Sequence, residues 1–309
     1  MTRARGVADY GYYPPVNNNI LINPSFTVNQ RGDVIDHNTA SYGPDRWRVS
    51  GISDTGGTMS QSTTTIDPAT GINKLLVKHR NATGPSYIRQ YIEAVNLQGL
   101  YSKEMTLSFG YSDVSGSGIP WVRVGSWDSS GDFKELYHEA PTSLGDNRWT
   151  CTFTLSTKDG TIPDPSERGL DVLIWPNEKN NAPSEWSLWE TKLEAGSVVT
   201  PFIARSHGEE LALCQRYYYQ PANLAGTNRY GIWQGRTVNA ENYNNTFTLP
   251  VSMRASPTLT AAIGDDADFD SASLKVGDLS NQTGRVYCRA NATSDAGYYY
   301  YSITADAEL

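Results

Sequence analysis

Short stretches of alternating apolar and polar residues recur along most of this 309-residue chain. In one of them Met105, Leu107, Phe109 and Tyr111 point one way, and the residues between them are small or polar. A period of two is that of a β-strand with one dry face and one wet face. Nearly every gap between such stretches holds Gly, Pro, Asn or Asp, which are turn-forming residues. The pattern therefore predicts an all-β protein.

The predicted strands form two sets on either side of a single helical stretch. The first set covers residues 21–28, 46–50, 74–80, 86–94, 105–113, 121–127, 150–157, 170–175 and 186–193. The second set covers residues 231–238, 246–251, 258–263, 273–276, 285–290 and 297–305, with an acidic turn at residues 264–268. Many short strands separated by turn residues are typical of a two-sheet sandwich or jelly roll.

The helical stretch, residues 206–219, lies between the two sets. Ser206 is suited to the N-cap position, and Glu209 three residues later completes a capping box. We therefore predict a jelly-roll β-sandwich over residues 20–205, followed by a short helix and a second, C-terminal β-sandwich within residues 206–309.

The sequence around this joint resembles a known junction. Two motifs carry the resemblance, WETKLEAGSVVTPF and GEELALCQRYY. They resemble the junction of many bacteriophage tail-fibre and other virion appendage proteins, where a jelly roll similar to carbohydrate-binding modules runs into a C-terminal β domain. Two earlier motifs of this chain, ILINPSFTVNQRG and YGPDRWRV, resemble the opening strands of the same jelly-roll module. The resemblance covers roughly residues 18–220 and thins to the motif FTLPVSMRASPTL beyond them.

This resemblance implies a virion protein that is assembled in the host cytoplasm and has other virion proteins as partners. It favours a homotrimer over the two-fold dimers that are commonest among soluble oligomers. It assigns Trp47 and Trp189 to packing. It is also compatible with a structural Ca²⁺, whose ligands the sequence does not specify because backbone carbonyls leave no pattern.

Residues 1–19 show no apolar period and cannot build a core of their own. Two interpretations stand side by side, a disordered tail and an extended peptide that becomes ordered against a partner. In the second interpretation this segment docks to the virion, since the N-terminus of fibre-like proteins is the docking end. Its aromatic anchors and charged contacts would be Tyr10, Tyr12, Tyr13, Arg3 and Arg5.

One predicted strand carries candidate binding residues. Trp121, Arg123 and Trp127 share one face, and Val122 and Val124 share the other. If the valines face the core, an open sheet face carries two indoles roughly 20 Å apart at strand rise, with a guanidinium between them. Indoles stack on the apolar faces of pyranose rings, so this strand is a candidate glycan-binding face.

Tyr137, with His138 beside it, is a weaker companion on the next segment. The alternative for the two indoles is packing in the core or at a subunit contact, because large aromatic side chains are usually well buried. The run Tyr298 to Tyr301 puts aromatic rings on both faces of a strand. This favours a packed or intersubunit strand over an exposed receptor surface.

Composition narrows the function classes. The net charge of −8 speaks against a nucleic-acid surface, which needs clustered Lys and Arg. No apolar run approaches the roughly 20 residues that span a bilayer, and the first residues lack the apolar core of a secretory signal. The 3 cysteines are far apart, as is typical of reduced core thiols.

The sequence contains few of the patterns that are typical of enzymes. The chain has no G-x-S-x-G, H-E-x-x-H, P-loop or G-x-G-x-x-G motif, and no His pair at ligand spacing. Asp128, Asp132 and Glu135 lie near the tryptophan strand and could in principle cleave glycosides, although acids in such a turn are normally turn formers. We predict no catalytic and no metal-binding residues.

Together these observations predict a non-catalytic structural component of a phage particle, a tail fibre or similar appendage, that contacts host surface polysaccharide. Two alternatives stay open: a purely structural head or tail decoration protein without receptor binding, and a glycan depolymerase.

Overall fold

The computed structural model describes residues 18–32, 34–37, 41–51, 60–79, 86–113, 118–165, 167–176, 184–221 and 230–309. Within these ranges the chain is built almost entirely of β-strands, which confirms the predicted fold class.

The strands before the helix are β1 (Val34–His37), β2 (Ser41–Tyr42), β3 (Arg48–Gly51), β4 (Ser60–Ile66), β5 (Asn73–His79), β6 (Ser86–Glu93), β7 (Glu104–Asp113), β8 (Pro120–Trp127), β9 (Phe133–Glu139), β10 (Thr142–Gly145), β11 (Arg148–Thr154), β12 (Arg168–Pro176) and β13 (Ser184–Ala195). A 3₁₀ turn (Ala94–Leu97) follows β6. The helix is α1 (His207–Gln215). The strands after it are β14 (Tyr218–Tyr219), β15 (Gly231–Thr237), β16 (Asn242–Thr248), β17 (Thr258–Ala267), β18 (Phe269–Gly277), β19 (Thr283–Ala290) and β20 (Ser294–Asp306).

The first thirteen strands form a jelly-roll sandwich of two antiparallel sheets. The seven-stranded sheet has the order β1-β4-β5-β13-β7-β11-β10, and the six-stranded sheet has the order β2-β3-β6-β12-β8-β9. Their inner faces enclose a hydrophobic cluster that includes Trp47, Leu107, Phe109, Val122 and Trp186, all fully buried. The strand β7 supplies every second residue to this cluster, Met105, Leu107, Phe109 and Tyr111, as the period of two predicts.

The segment predicted as the opening strand, residues 21–28, is a loop, so that prediction is wrong. Leu21, Phe26 and Val28 are buried as expected, but Asn23 and Phe26 adopt left-handed backbone conformations, with φ of 53° and 55°. The amide of Asn23 holds the loop closed by donating to the Val28 carbonyl (2.8 Å) and the Asp45 carbonyl (3.0 Å). Apolar spacing alone does not reveal such a side-chain-stabilised turn.

The structure contains strands that the pattern does not predict, namely β1, β2, β4, β9, β10 and β14. The last of these, Tyr218–Tyr219, replaces the predicted end of the helix, which stops at Gln215. The strand β4 reads SQSTTTI, so its polar residues hide the period of two. The predicted acidic turn at residues 264–268 is also wrong over most of its length. The strand β17 continues through a bulge to Ala267 and pairs Asp265 with Tyr300, so the chain turns only at Asp268, which has a φ of 68°.

The helix begins as predicted. The Ser206 hydroxyl accepts from the Glu209 backbone amide (3.3 Å), and the Glu209 carboxylate accepts from the Ser206 amide (3.0 Å), which completes the capping box. The buried face of α1 carries Cys214, and Tyr217 follows one turn later. Both pack against apolar residues of the opening loop, so the helix lies on the jelly roll rather than apart from it.

The strands after the helix form a second, smaller β-sandwich. One sheet has the order β14-β20-β15, with β17 also pairing with β20, and the other has the order β16-β19-β18. Their shared cluster draws on residues from Tyr219 to Ala307, and Tyr299 and Tyr301 are buried in it. Tyr298 and Tyr300 lie half-buried on the opposite face with ring centroids 5.6 Å apart.

A buried ion pair joins the two sandwiches. The guanidinium of Arg46, 1% exposed, contacts the Glu308 carboxylate, which is 5% exposed. It also donates to the Tyr91 carbonyl at 2.5 Å and stacks on the Tyr217 ring at 3.5 Å. The side chain of Arg46 comes from the turn before β3, whereas Glu308 follows β20, so this pair links the jelly roll to the segment that follows the last strand of the second sandwich.

A second charged contact reinforces the joint. The Glu93 carboxylate, at the end of β6, is completely buried and accepts from the Tyr217 hydroxyl at 2.8 Å. Arg216 and Arg254 approach it at 3.1 Å and 3.9 Å. Each side of the joint therefore contributes a buried charge that depends on the other side for its partner.

We expect Glu308→Ala to lower the free energy of unfolding by about 3–5 kcal/mol, because it leaves the Arg46 cation buried without its carboxylate. Calorimetric or denaturant unfolding measures this loss. The matched control is Asp295→Ala, whose side chain is 95% exposed and lies 3.5 Å from Arg236, so its ion pair contributes about 1 kcal/mol or less. Equal losses for the two variants would contradict a structural role for the buried pair.

Asp45 supplies a prediction about pH. Its carboxylate lies beneath Arg31, and burial raises its pKa to about 6, although hydrogen bonds from Gln30 and the Arg31 charge oppose the shift. The folded protein then holds a proton that the unfolded chain releases, so stability is greatest below the unfolded pKa and falls as pH rises through about 6. Relative to Asp45→Asn, we expect the wild type to lose about 2–3 kcal/mol between about pH 4 and pH 7. Unfolding curves across this range measure the difference, and parallel stability profiles would contradict it.

Candidate functional site

The tryptophan strand β8 alternates in the structure as its sequence predicts. Val122 and Val124 are fully buried in the core between the sheets. Trp121, Arg123 and Trp127 lie on the outer face of the six-stranded sheet, and each is partly exposed. The candidate residues on β8 therefore belong to an open face of the jelly roll.

The neighbouring strand β12 adds a second indole to this face. Trp175 is the register partner of Trp121, and its side chain is also partly exposed. Residues directly opposite each other in an antiparallel pair share a face, with Cβ atoms about 4.5–5.5 Å apart. The sequence analysis missed Trp175 as a site residue, although the alternation of Leu170, Val172 and Ile174 along its strand places it on the outer face.

On β9 the structure corrects one of the predicted residues. A bulge between Val124 and Gly125 shifts the register so that Tyr137 pairs with Val124. Tyr137 therefore points inward, packs against the core and donates its hydroxyl to the Ala140 carbonyl at 3.0 Å. His138 takes the outward position instead.

The His138 ring lies beside both indoles. Its centroid is 6.1 Å from that of Trp121, edge-on, and 5.9 Å from that of Trp175. We call Trp121 and Trp175 the indole pair, and His138 is the histidine beside it. They form one continuous aromatic surface across β9, β8 and β12.

A second aromatic group lies further along β8. Phe133 contacts the Trp127 ring with centroids 5.1 Å apart, and the Arg123 guanidinium lies 4.7 Å from the Phe133 centroid. Gly125 makes this arrangement possible, because a Cβ at that position would lie 1.8 Å from the Phe133 ring. The ring thus fills the space of the missing side chain.

Ion pairs surround the aromatic groups. Arg123 donates to Glu135 at 3.0 Å, and both side chains are exposed, at 36% and 45%. Arg89 makes a two-point contact with Asp171, whose side chain is 2% exposed. Burial raises the pKa of Asp171 above its ordinary value, although the contact with Arg89 opposes the shift. The face therefore offers fixed polar groups between its aromatic side chains.

One end of the face is closed by the second sandwich. A pocket of about 630 Å³ lies there, lined by Trp127 and Arg168 from the jelly roll and by Arg254 from the C-terminal region. The carboxylates of Asp164 and Glu167 lie at the same pocket. The opposite end, with the indole pair and its histidine, is open.

The acids considered for glycoside cleavage have structural partners. The Asp128 carboxylate accepts from the backbone amides of Ser130 (3.0 Å) and Asp132 (2.8 Å), as a turn former does. Asp132 pairs with Lys158 at 2.9 Å. Among the described residues, no group of three or more His, Cys, Asp or Glu is placed to hold a metal ion.

Two further predictions concern other parts of the chain. The docking residues Arg3, Arg5, Tyr10, Tyr12 and Tyr13 lie outside the described residues. Within the described ranges, no helix is long and apolar enough to cross a membrane.

Comparisons with known proteins bear on the fold. The sequence matches no protein-family profile, and no curated protein matches it. Among solved structures, the enzymatically active domain of tailspike protein 4 from bacteriophage CBA120 aligns over 58% of this chain and 22% of its own length, with 11% identity and a TM-score of 0.37.

Two smaller proteins align over nearly their whole length. The C-terminal family 22 carbohydrate binding module of Clostridium thermocellum Xyn10B covers 60% of this chain and 100% of its own, with 11% identity and a TM-score of 0.35. The N-terminal cellulose-binding domain of Cellulomonas fimi β-1,4-glucanase C covers 54% and 97%, with 13% identity and a TM-score of 0.32. These likenesses are too distant to transfer a ligand, and this chain spans about a fifth of the tailspike domain. Function is therefore argued from the face itself.

Proposed function

We propose that this chain is a non-catalytic component of a bacteriophage particle that binds host surface glycan through the outer face of its six-stranded sheet. The observation that carries the proposal is the pairing of Trp121 with Trp175 across β8 and β12 on an open sheet face. The inward residues of β8 and β12 fill the core, so the two partly exposed indoles on the opposite face of these strands do not contribute to it.

The chemistry of the face suits a sugar polymer. An indole offers a flat apolar surface to the CH face of a pyranose, and its attachment to a rigid strand limits the entropy lost on binding. Ligand sites combine such apolar surfaces with a few fixed polar groups, which Arg89–Asp171 and Arg123–Glu135 supply here. Trp121 and Trp127 are roughly 20 Å apart along the strand, so the face is long enough for several sugar units.

The virion setting rests on the resemblance of the joint and opening motifs to phage appendage proteins. In this proposal residues 1–19 dock to other virion proteins, the jelly roll spans residues 20–205, and the helix and second sandwich complete the chain to residue 309. The two hydrophobic clusters on either side of α1 support this division. The proposed particle carries the protein as a trimer and is assembled in the host cytoplasm.

We expect Trp121→Ala to weaken binding of the purified protein to host cell-wall polysaccharide by about tenfold or more, because the variant removes half of the indole pair. Affinity electrophoresis or calorimetry measures the change, and an unchanged unfolding transition shows that the fold survives. The matched control is Tyr298→Ala, which removes a half-buried aromatic ring from the outer face of the second sandwich.

If Tyr298→Ala weakens binding and Trp121→Ala does not, the receptor surface belongs to the second sandwich and the proposal is wrong about the face. If the wild type binds no host polysaccharide, the result favours the alternative of a structural head or tail decoration protein without receptor binding. Release of reducing sugar from the polysaccharide would instead favour a depolymerase.

The particle setting has its own test. We expect antibodies against residues 1–17 to label disrupted particles only, and antibodies against residues 230–309 to label intact ones, since the N-terminal segment is proposed to lie in a contact. Immunogold electron microscopy measures both. Labelling of intact particles by the N-terminal antibodies would contradict docking through this segment.

A further inference from the structure

Three arginines, a leucine and a histidine form a row across the outer face, perpendicular to the strands. Arg48 on β3 is the register partner of Arg89 on β6, and Arg89 is that of Leu173 on β12. Leu173 pairs in turn with Arg123 on β8, and Arg123 with His138 on β9. We call these five side chains the basic row.

The basic row lies on the outer face throughout. Arg48 alternates with Val49, which is fully buried in the core. Adjacent strands are about 4.8 Å apart, so Arg48 and Arg123 are separated by three strand spacings, or roughly 14 Å. Three guanidinium groups therefore lie within the length of a few sugar rings.

The row next to it is the indole pair. Trp121 and Trp175 are each two residues from the basic row along their strands, which is about 7 Å at strand rise. A polymer that crosses the strands with its rings on Trp121 and Trp175 would thus have its substituents over Arg89 and Arg123.

Carboxylates lie on the other side of the basic row. Asp171 and Glu135 belong to the following register row, together with Tyr91 and Gly125. Asp171 is nearly inaccessible beneath Arg89, and Glu135 holds Arg123 and His138, at 3.0 Å and 3.2 Å. These carboxylates hold the guanidinium groups toward their own side of the row, where Arg123 also lies 4.7 Å from the Phe133 ring centroid.

A fourth arginine, Arg168, lies on the junction side of the basic row, at the pocket. The Arg168 guanidinium lies 4.3 Å from the Tyr91 ring centroid, and Arg89 lies 4.6 Å from the same centroid. The acidic residues Glu93, Asp164 and Glu167 lie at the junction end, where the pocket and the second sandwich close the face. On a chain with a net charge of −8, Arg48, Arg89 and Arg123 thus cross the middle of the face, between the indole pair and the acidic junction end.

We infer that the glycan bound by this face is acidic, a polysaccharide whose carboxylate groups pair with Arg89 and Arg123 while its rings stack on Trp121 and Trp175. The guanidinium N–H groups of Arg89 and Arg123 that do not donate to Asp171 and Glu135 can donate to a glycan carboxylate, and such charge-assisted hydrogen bonds are about twice as strong as those to the neutral hydroxyls of an uncharged glycan. This inference rests on the proposed function and specifies its substrate class.

The test uses the full chain and two sets of polymers. The acidic set is polygalacturonate, alginate and heparosan, and the neutral set is the carboxyl-reduced form of each, together with xylan and galactan. We expect calorimetry to detect binding to at least one uronate polymer and at least tenfold weaker binding to its carboxyl-reduced form. We also expect binding to weaken steeply in about 1 M NaCl, where the Debye length falls to about 3 Å.

Two arginine variants complete the experiment. Arg123→Gln removes an exposed guanidinium whose loss costs the fold little, and we expect it to weaken uronate binding about tenfold and binding of the carboxyl-reduced polymer by a clearly smaller factor. The matched control is Arg236→Gln, an arginine 74% exposed on the second sandwich, which should leave uronate binding unchanged.

Each other outcome has a definite meaning. Equal binding of a uronate polymer and its reduced form, or binding confined to neutral polymers, would overturn the acidic preference and leave glycan binding intact. Binding to no polymer of either set would overturn the inference and count against the proposed function. Tight binding of a thymidine oligonucleotide instead of any polysaccharide would identify the basic row as a nucleic-acid surface and overturn both.

Discussion

The structure depends on charges that are buried at the joint between the two sandwiches. Arg46 of the jelly roll meets Glu308 after the last strand, and Glu93 at the end of β6 meets Arg216 and Tyr217 beyond the helix. A buried charge that loses its partner costs about 3–5 kcal/mol of stability. Separating the two sandwiches would break these buried ion pairs, so the pairs stabilise the contact between the sandwiches.

This joint also shapes the candidate site. Glu93 lies on the same sheet face as the indole pair, so the contacts that bury it bring the second sandwich over one end of that face. The result is the pocket between Trp127, Arg168 and Arg254. A surface that would otherwise be a flat sheet has a wall at one end and is open at the other. The C-terminal sandwich thus contributes to the site through its position, whatever else it contacts.

Much of this arrangement could be predicted from the sequence, and the failures have physical causes. The alternation of Trp121 to Trp127 predicts which side chains face outward, because a strand between two sheets has one dry face. The inward orientation of Tyr137 was not predicted, because a β-bulge reverses which residues of a strand face outward and has no recognisable sequence pattern here. The position of Trp175 opposite Trp121 and the alignment of the basic row could not be predicted for another reason. They arise from register between strands that are distant in the chain, and local pattern carries no information about register.

The perpendicular course of the basic row has a consequence for how recognition could change over generations. Each of its side chains comes from a different strand, and each points away from the packed interior. A substitution at one position therefore alters one local contact along a bound polymer and leaves the hydrophobic cluster and the other contacts in place. Under the proposed function, recognition of one surface sugar can therefore give way to recognition of another through single substitutions.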